Sequence, residues 1–589
     1  MMNIKKILGC SAFAFAALTA SFAISVDQPE IESAGGANTV VFRNYTGPHS
    51  VINSAAEIRA IGSTLGSNVS QSPDSSITVG SSNRYQFIHV VDPSVKEKLD
   101  ADIFIIGSAA TVDHIDNVRR IISAYLESAY GYSRRDADTI AVFVTVYNAV
   151  YRGNLNYFNS KYKEAVTRNL SSANVGISTD YQEWPGRTQI VIPLSDVNGG
   201  LSTIDTSIIS DRNVVKSMQE DDGKNIDARK DMVDIKEREA DNASEKAQEA
   251  QKQATEENAK LKEEQQKSAQ ANKEAQTAQK EADKAQKQAD NAQKQADNAQ
   301  KKADANPDDK KAQQDAAAAQ KKADDAQQKA DEAQKEADKK QEVAIEQNKK
   351  TEEQAQKAQD ASSQAEAAQD KADTKRSEAQ NERTEIAKDQ QTIIRESAQN
   401  EGANVIYGLK NVDDLGQTSE IVKMNSDNGS VIKESPVTVI RGRTVYEDGD
   451  NFVAVAGSNF GNGAVKLVLI GKENLEIVSQ SAETLSELSV LVEKDGNYYC
   501  TVQNGKNYYV AKYSNSLEKL LQSPVAVKAA TPITITAKGI LVCAASGNPA
   551  ILNLDKLTLI GEGSTSNSNK AANVINSATN VINDAANAK

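Results

Sequence analysis

Three hydrophobic spacings succeed one another along the chain, and each predicts a different architecture. Over residues 38–211 short β-branched or aromatic runs, at 39–42, 85–91, 103–106 and 188–192, alternate with helical patterns. Ile115, Val118, Ile121, Ile122 and Leu126 line one face of a 3.6-period helix, with Asp113 placed to cap it. Residues 137–151 and 157–170 predict further helices. The expectation is a mixed α/β domain over 24–211, with a flexible start.

Beyond residue 212 the pattern becomes helical without interruption. Residues 241–400 contain no aromatic, Gly, Cys or His, and one Pro, Pro307. Ala recurs at 275, 278, 282, 285, 289, 292, 296, 299 and 303, the 3,4 alternation of a heptad seam. After Pro307 a second seam runs through 312, 316, 319, 323, 326, 330, 333 and 337. Pairing outward from the Pro matches 303 with 312, 299 with 316, and so on to 278 with 337. Every pair totals 615, as an antiparallel hairpin turning at Asn306 and Pro307 requires. Asn306 is the expected N-cap, with Pro307 at the first helical position. The competing reading is one long helix kinked at Pro307. The stalk is assigned to 212–400.

From 404 to 563 the period switches to two. Strand–turn units recur every 42 to 48 residues, at 452–457, 499–505 and 541–547, with an earlier partial copy at 421–429. Repeats of that length predict propeller-like blades, with a β-sandwich or incomplete propeller as the alternative. The chain as a whole is therefore multidomain α+β: α/β domain, Ala-rich rod or antiparallel coiled-coil hairpin, and all-β repeat domain. The tail, 564–589, is polar. Within it Asn573-Val-Ile-Asn576 and Asn580-Val-Ile-Asn583 repeat at seven residues, consistent with a short amphipathic helix.

Composition narrows the function. A net charge of −14 argues against a nucleic-acid binder relying on bulk positive charge. Lys5 and Lys6 precede an apolar segment ending Ser21-Phe22-Ala23, which predicts a signal peptide over 1–23 and export to the periplasm or outer envelope. The rival reading, acylation at Cys10, leaves too few residues for an apolar region after Lys6. No later apolar run is long enough to span a bilayer, so any membrane association is peripheral.

Candidate chemistry is sparse. Asp113-His114-Ile115-Asp116 does not set three ligands on one helical face, and the Gly107 turn lacks the Lys of a phosphate-binding loop. No catalytic, cofactor or metal site is assigned. Cys500 and Cys543 lie one repeat apart, either as a disulfide or as two thiols.

Tyr181-Gln-Glu-Trp184-Pro185-Gly186-Arg-Thr-Gln-Ile-Val-Ile-Pro-Leu194, followed by Asn225-Ile-Asp-Ala-Arg-Lys-Asp-Met-Val-Asp234, resembles the 83/100-kilodalton antigens of spirochaetes, Borrelia above all, with treponemal relatives. The resemblance extends to the order of parts and implies an envelope-associated antigen. It carries over no catalytic residue. The expected function is a non-enzymatic envelope protein whose stalk positions two globular modules, its partner an envelope protein or cell-wall component. The alternative is a periplasmic enzyme or ligand receptor with its site on the C-terminal β domain.

Overall fold

The structure, a computed structural model, describes residues 40–70, 77–79, 83–95, 97–195, 199–218, 223–400 and 404–563. The signal-peptide and tail assignments lie outside the described residues. The protein is mixed α+β, with a small N-terminal sheet, a long helical rod and C-terminal antiparallel sheets.

In the N-terminal part, β1 (Ile77–Val79), β2 (Tyr85–Val90), β3 (Asp100–Ile106) and β4 (Thr188–Leu194) form one antiparallel sheet in chain order. The buried residues of β3 and β4 pack against α2 (Ile115–Tyr130) and α3 (Arg134–Val150) through Phe104, Ile122, Tyr125 and Val144. The N-cap of α2 is His114, whose ring accepts from the Asp116 N–H, rather than Asp113. Asp113 is instead turned toward His49.

Three expectations change. Residues 40–42 lie outside any strand: the segment's β pairing is limited to an isolated bridge between Arg43 and Asp180, and Phe42 meets the domain through its side chain. The helix expected over 157–170 is two, α4 (Leu155–Lys161) and α5 (Glu164–Thr167), because Tyr162 is extended and Lys163 restarts the chain. An additional helix, α1 (Ala55–Ser70), lies against α2. Gly62 and Gly66 permit that packing: a Cβ at either would fall 2.0 Å from the Ile121 carbonyl or 2.6 Å from that of Tyr125.

Two short helices, α6 (Thr206–Ile209) and α7 (Arg212–Met218), lead to α8 (Ile226–Ala305) and α9 (Lys310–Asn400), which pack antiparallel along their lengths. Each of the seam Ala from 275 to 337 is buried or half-buried, while every other residue between 276 and 336 is exposed. The seam is thus the contact surface, and Ala allows the close approach. The chain reverses at Asn306 and Pro307 as expected, but the cap of the returning helix differs. Asn306 closes α8, its N–H donating to the Ala303 carbonyl, and Pro307 lies in the turn. Asp309 starts α9, its carboxylate accepting from the N–H groups of Lys311 and Ala312. Pro307 and Asp308 form the turn that reverses the chain, so the cap falls three residues later. On the outer face, Gln side chains donate to Asp four residues on, as from Gln286 to Asp290 (2.9 Å) and Gln327 to Asp331 (2.8 Å).

The β domain is three stacked antiparallel sheets. The first holds β5 (Val405–Asn411), β6 (Thr418–Asn425), β7 (Val431–Glu434), β8 (Ile440–Asp448), β9 (Asn451–Gly457), β10 (Val465–Gly471) and β11 (Ile477–Gln480). Its halves join where Thr418 and Ser419 pair with Arg441 and Ile440, so two expected repeats merge into one sheet. The second is β12 (Val492–Lys494) to β15 (Lys519–Val527), with β13 (Asn497–Asn504) and β14 (Asn507–Tyr513) between. The third is β16 (Thr534–Thr536), β17 (Gly539–Cys543), β18 (Pro549–Leu552) and β19 (Leu559–Glu562). Alternation along β13 fixes the stacking: Tyr498, Cys500 and Val502 face the first sheet's Val453 and Leu467, while Tyr499 faces the third sheet's Ile540 and Leu552.

Candidate functional site at the hairpin root

The hairpin begins and ends at the two globular parts, and its root is where charged side chains leave water. At the start of α8, Met232 and Ile235 enter the N-terminal core, while Val233 packs on Ala379 and Ile386 of α9. Burying one face of the helix draws its charged neighbours inward. Arg229, fully buried, donates from Nε to Glu382 (2.5 Å) and from Nη1 to Asp389 (2.7 Å). Lys236 meets Glu378 at 2.7 Å, and Lys375 meets Glu239 at 2.9 Å. These pairs cross from one helix to the other and run antiparallel. Such pairs hold register because loss of one partner strands the other charge in a dry site.

The same cluster grips the α/β domain. Thr206 of α6 donates to Glu239 at 2.6 Å, and Ser207 donates to Glu378 at 3.0 Å. Arg238 forks onto Asp136 of α3 at 2.6 and 3.0 Å. Burial opposes ionisation of Asp136, yet the hydrogen bonds from Arg238 and Ser133 prevail and hold its carboxyl below the ordinary range. Reciprocally, Asp136 raises the Arg238 guanidinium. Beside this joint lies a crevice of about 720 Å³, lined by Phe143, Val215, Met232, Lys236 and Glu382 among others.

A strap from Arg43 to Ser50 ties the N-terminal part to the β domain. Tyr45 is buried; its hydroxyl donates to the Pro48 carbonyl at 2.8 Å and accepts the Ser458 N–H at 3.1 Å. Burial raises this phenol to about 12, so it remains a neutral donor. Ser50 N–H donates to the Asn462 carbonyl and Ala464 N–H to that of Pro48, both backbone bonds between domains. Tyr181 meets Phe460 edge-on, with centroids 5.3 Å apart. Tyr181 opens the segment that carries Trp184.

Trp184, Pro185 and Gly186 have a structural task. The Trp184 ring is fully buried, donates from Nε1 to the Ser178 carbonyl at 2.7 Å, and meets Phe42 edge-on. Gly186 has φ +74°, which a side chain rarely adopts, and its N–H donates to the Ile106 carbonyl at 3.0 Å as the chain enters β4. Asn306 and Pro307 sit at the opposite end of the hairpin. Cys500 is a free thiol buried between the first and second sheets, and Cys543 is a free, half-buried thiol on the third sheet.

Inside the α/β domain, Asp102 accepts from Tyr125 at 2.7 Å and Tyr130 at 2.6 Å, and lies 2.6 Å from His89 Nδ1. Burial, then the Asp102 charge, pushes both phenols well above their usual value. This network is sealed from solvent and fastens α2 to the sheet. Asp102 lies opposite His89 on the neighbouring strand, 13 residues away in sequence, so no local motif marks the pair. Among the described residues, no group of three His, Cys, Asp or Glu is placed to hold a metal ion, and no helix is long and apolar enough to cross a membrane.

The fold and root define a helical-hairpin protein whose two globular parts meet at one end of the hairpin. It belongs to the Borrelia P83/100 protein family, whose model matches residues 28–533, the family of antigens to which the Trp184 segment pointed. No curated protein matches the chain. Among solved structures, the crystal structure of BamB from Moraxella catarrhalis is similar at 10% identity and a TM-score of 0.15. That match covers 26% of this chain and spans 63% of the other.

Proposed function

We propose that this protein is an exported, non-enzymatic, spirochaetal antigen-like envelope protein in which the hairpin carries its tip away from a base of two docked modules. In this reading residues 24–211 and 404–563 are the modules, 212–400 the stalk, and the three C-terminal sheets an open propeller-like array. The observation that carries it is the joining of the modules by Tyr45 and Ser458, while α8 leaves that base and α9 returns to it. With 80 residues, α8 extends roughly 120 Å, so the tip at Pro307 stands far from the modules. Its Ala seam is spent on the intramolecular partner, leaving a polar outer face suited to crossing aqueous space. The partner is an envelope protein or cell-wall component reached by the tip, and any membrane association is peripheral.

Photo-crosslinkers placed in intact cells at Lys310 in the tip and at Lys246 near the root test this. The tip should capture an envelope component that the root does not. Equal capture at both positions, or recovery of cytosolic proteins alone, would refute the reading.

A further inference from the structure

Glu239 is a carboxylate set in an apolar stripe. Met232, Ile235 and Ala243 of α8 are buried, and Glu239 follows Ile235 by one helical turn, so the same face carries it inward to 2% exposure. Its two oxygens are served unequally. Oε2 accepts from the Thr206 hydroxyl at 2.6 Å and meets the Lys375 ammonium at 2.9 Å. Oε1 has no hydrogen-bond partner among the described residues. A buried carboxylate oxygen is costly to leave bare, and both donors of this group already lie on the other oxygen.

Glu239 also lines a pocket of about 320 Å³, which opens where the α/β domain meets the returning arm of the hairpin. Ser202 and Asp205 stand on the domain side, Asp370 and Thr374 on α9, and the buried Glu239 and Lys375 between them. Asp370 and Thr374 are exposed, so the mouth is open to solvent. Three carboxylates, Asp205, Glu239 and Asp370, face two ammonium groups, Lys371 and Lys375. Lys375 is already engaged with Glu239 and Thr206. The lining therefore lacks donors and positive charge. Among the described residues the carboxylates are not grouped to hold a metal ion, so the missing charge belongs to a molecule. The volume is at the low end for a small-molecule site. A primary ammonium group brings a compact charge and three donors, and the Ser202 and Thr374 hydroxyls suit a polar body behind it.

We propose that this pocket binds a small polar molecule through a primary ammonium group, which donates to Oε1 of Glu239 and is drawn in by Asp205 and Asp370. The bound molecule spans the α/β domain and α9 and so fastens the returning arm at the root. The site is at the far end of the hairpin from Pro307, and it stands independently of any partner at the tip.

Isothermal titration calorimetry of the full chain at low ionic strength tests this with glucosamine, cadaverine and N-acetylglucosamine. The two amines should bind saturably at one site. N-acetylglucosamine keeps the ring but lacks the charge, and should bind at least about tenfold more weakly than glucosamine. Either order of the two amines supports the site, and the order tells whether a ring or a chain carries the ammonium group. Glu239→Gln should weaken both amines at least about tenfold. Because that variant also strands Lys375, Thr374→Trp supplies the independent arm: it changes an exposed position of α9, should fill the mouth and abolish binding, and should leave thermal unfolding unaltered. Absence of saturable binding by either amine would overturn the proposal and assign Oε1 to water alone. Equal binding of glucosamine and N-acetylglucosamine, or amine binding undiminished in Thr374→Trp, would overturn it as well.

Discussion

The Ser458 N–H donates to the Tyr45 hydroxyl at 3.1 Å across 413 residues of sequence. That bond exists because the rod between them doubles back; at 1.5 Å per residue a straight helix through the same stretch would separate its ends by more than about 200 Å. The Tyr45 hydroxyl also donates to the Pro48 carbonyl, so it completes a buried backbone turn and a domain contact together. Tyr45→Phe would leave the Ser458 N–H and the Pro48 carbonyl without this partner. The expected loss is about 1–3 kcal/mol, read as an earlier urea midpoint for separation of the modules. An unchanged midpoint would show that the strap does not join them.

At the root, Arg229 serves two carboxylates on the opposite helix. Arg229→Ala would strand Glu382 and Asp389, with an expected loss of about 3–5 kcal/mol in thermal or urea unfolding of the hairpin base. Replacing all three with apolar residues of similar volume should recover most of that loss. If the single variant is as stable as the parent, the pairs do not hold the root.

The Ala heptads alone leave the register degenerate, since a shift of seven restores the same contacts. Polar residues at mid-rod break the degeneracy: Asn272 donates to Asn348 at 3.0 Å, and Thr351 donates to the Glu264 carbonyl at 3.2 Å. Asn348→Leu should therefore preserve helicity while broadening the distance distribution between spin labels on the two helices. A single sharp distance, unchanged from the parent, would assign the register to the Pro307 turn and the root instead.

The contact between α3 and α8 should weaken in acid. Asp136 is held below its ordinary pKa by Arg238 and Ser133, so its contribution is present above the unfolded value near about 3.9 and is lost as pH falls through the folded value. Hydrogen exchange along residues 134–150 should rise below pH of about 4 in the parent. In Asp136→Asn that acid-dependent increment should be absent.

The rod was the most legible part of the sequence because one residue type marks the buried stripe and nothing competes with it. Its turn was read less well: Asn306 and Asp309 both suit a cap, and only the geometry of the reversal selects Asp309. Helix α1 carries Gly62 and Gly66, which weaken a local helix signal, and in the fold they are contact points against Ile121 and Tyr125. The β repeats were visible as alternation, yet the pairing of Ser419 with Ile440, which fuses two of them, leaves no local trace. Arg229 lay within the segment that pointed to the family, but its partners are 153 and 160 residues away. Spacing along the chain carries no record of such a contact.

The central claim is that α8 and α9 lie side by side from root to tip. Spin labels at the exposed positions Lys246 and Lys371 test it most directly by double electron–electron resonance. Two packed helices about 8–10 Å apart place such labels roughly 15–30 Å from each other. A straight rod would separate them by about 190 Å, beyond the reach of the method. A distribution centred in the short range is the predicted result, and absence of any measurable dipolar interaction within one molecule would contradict the hairpin.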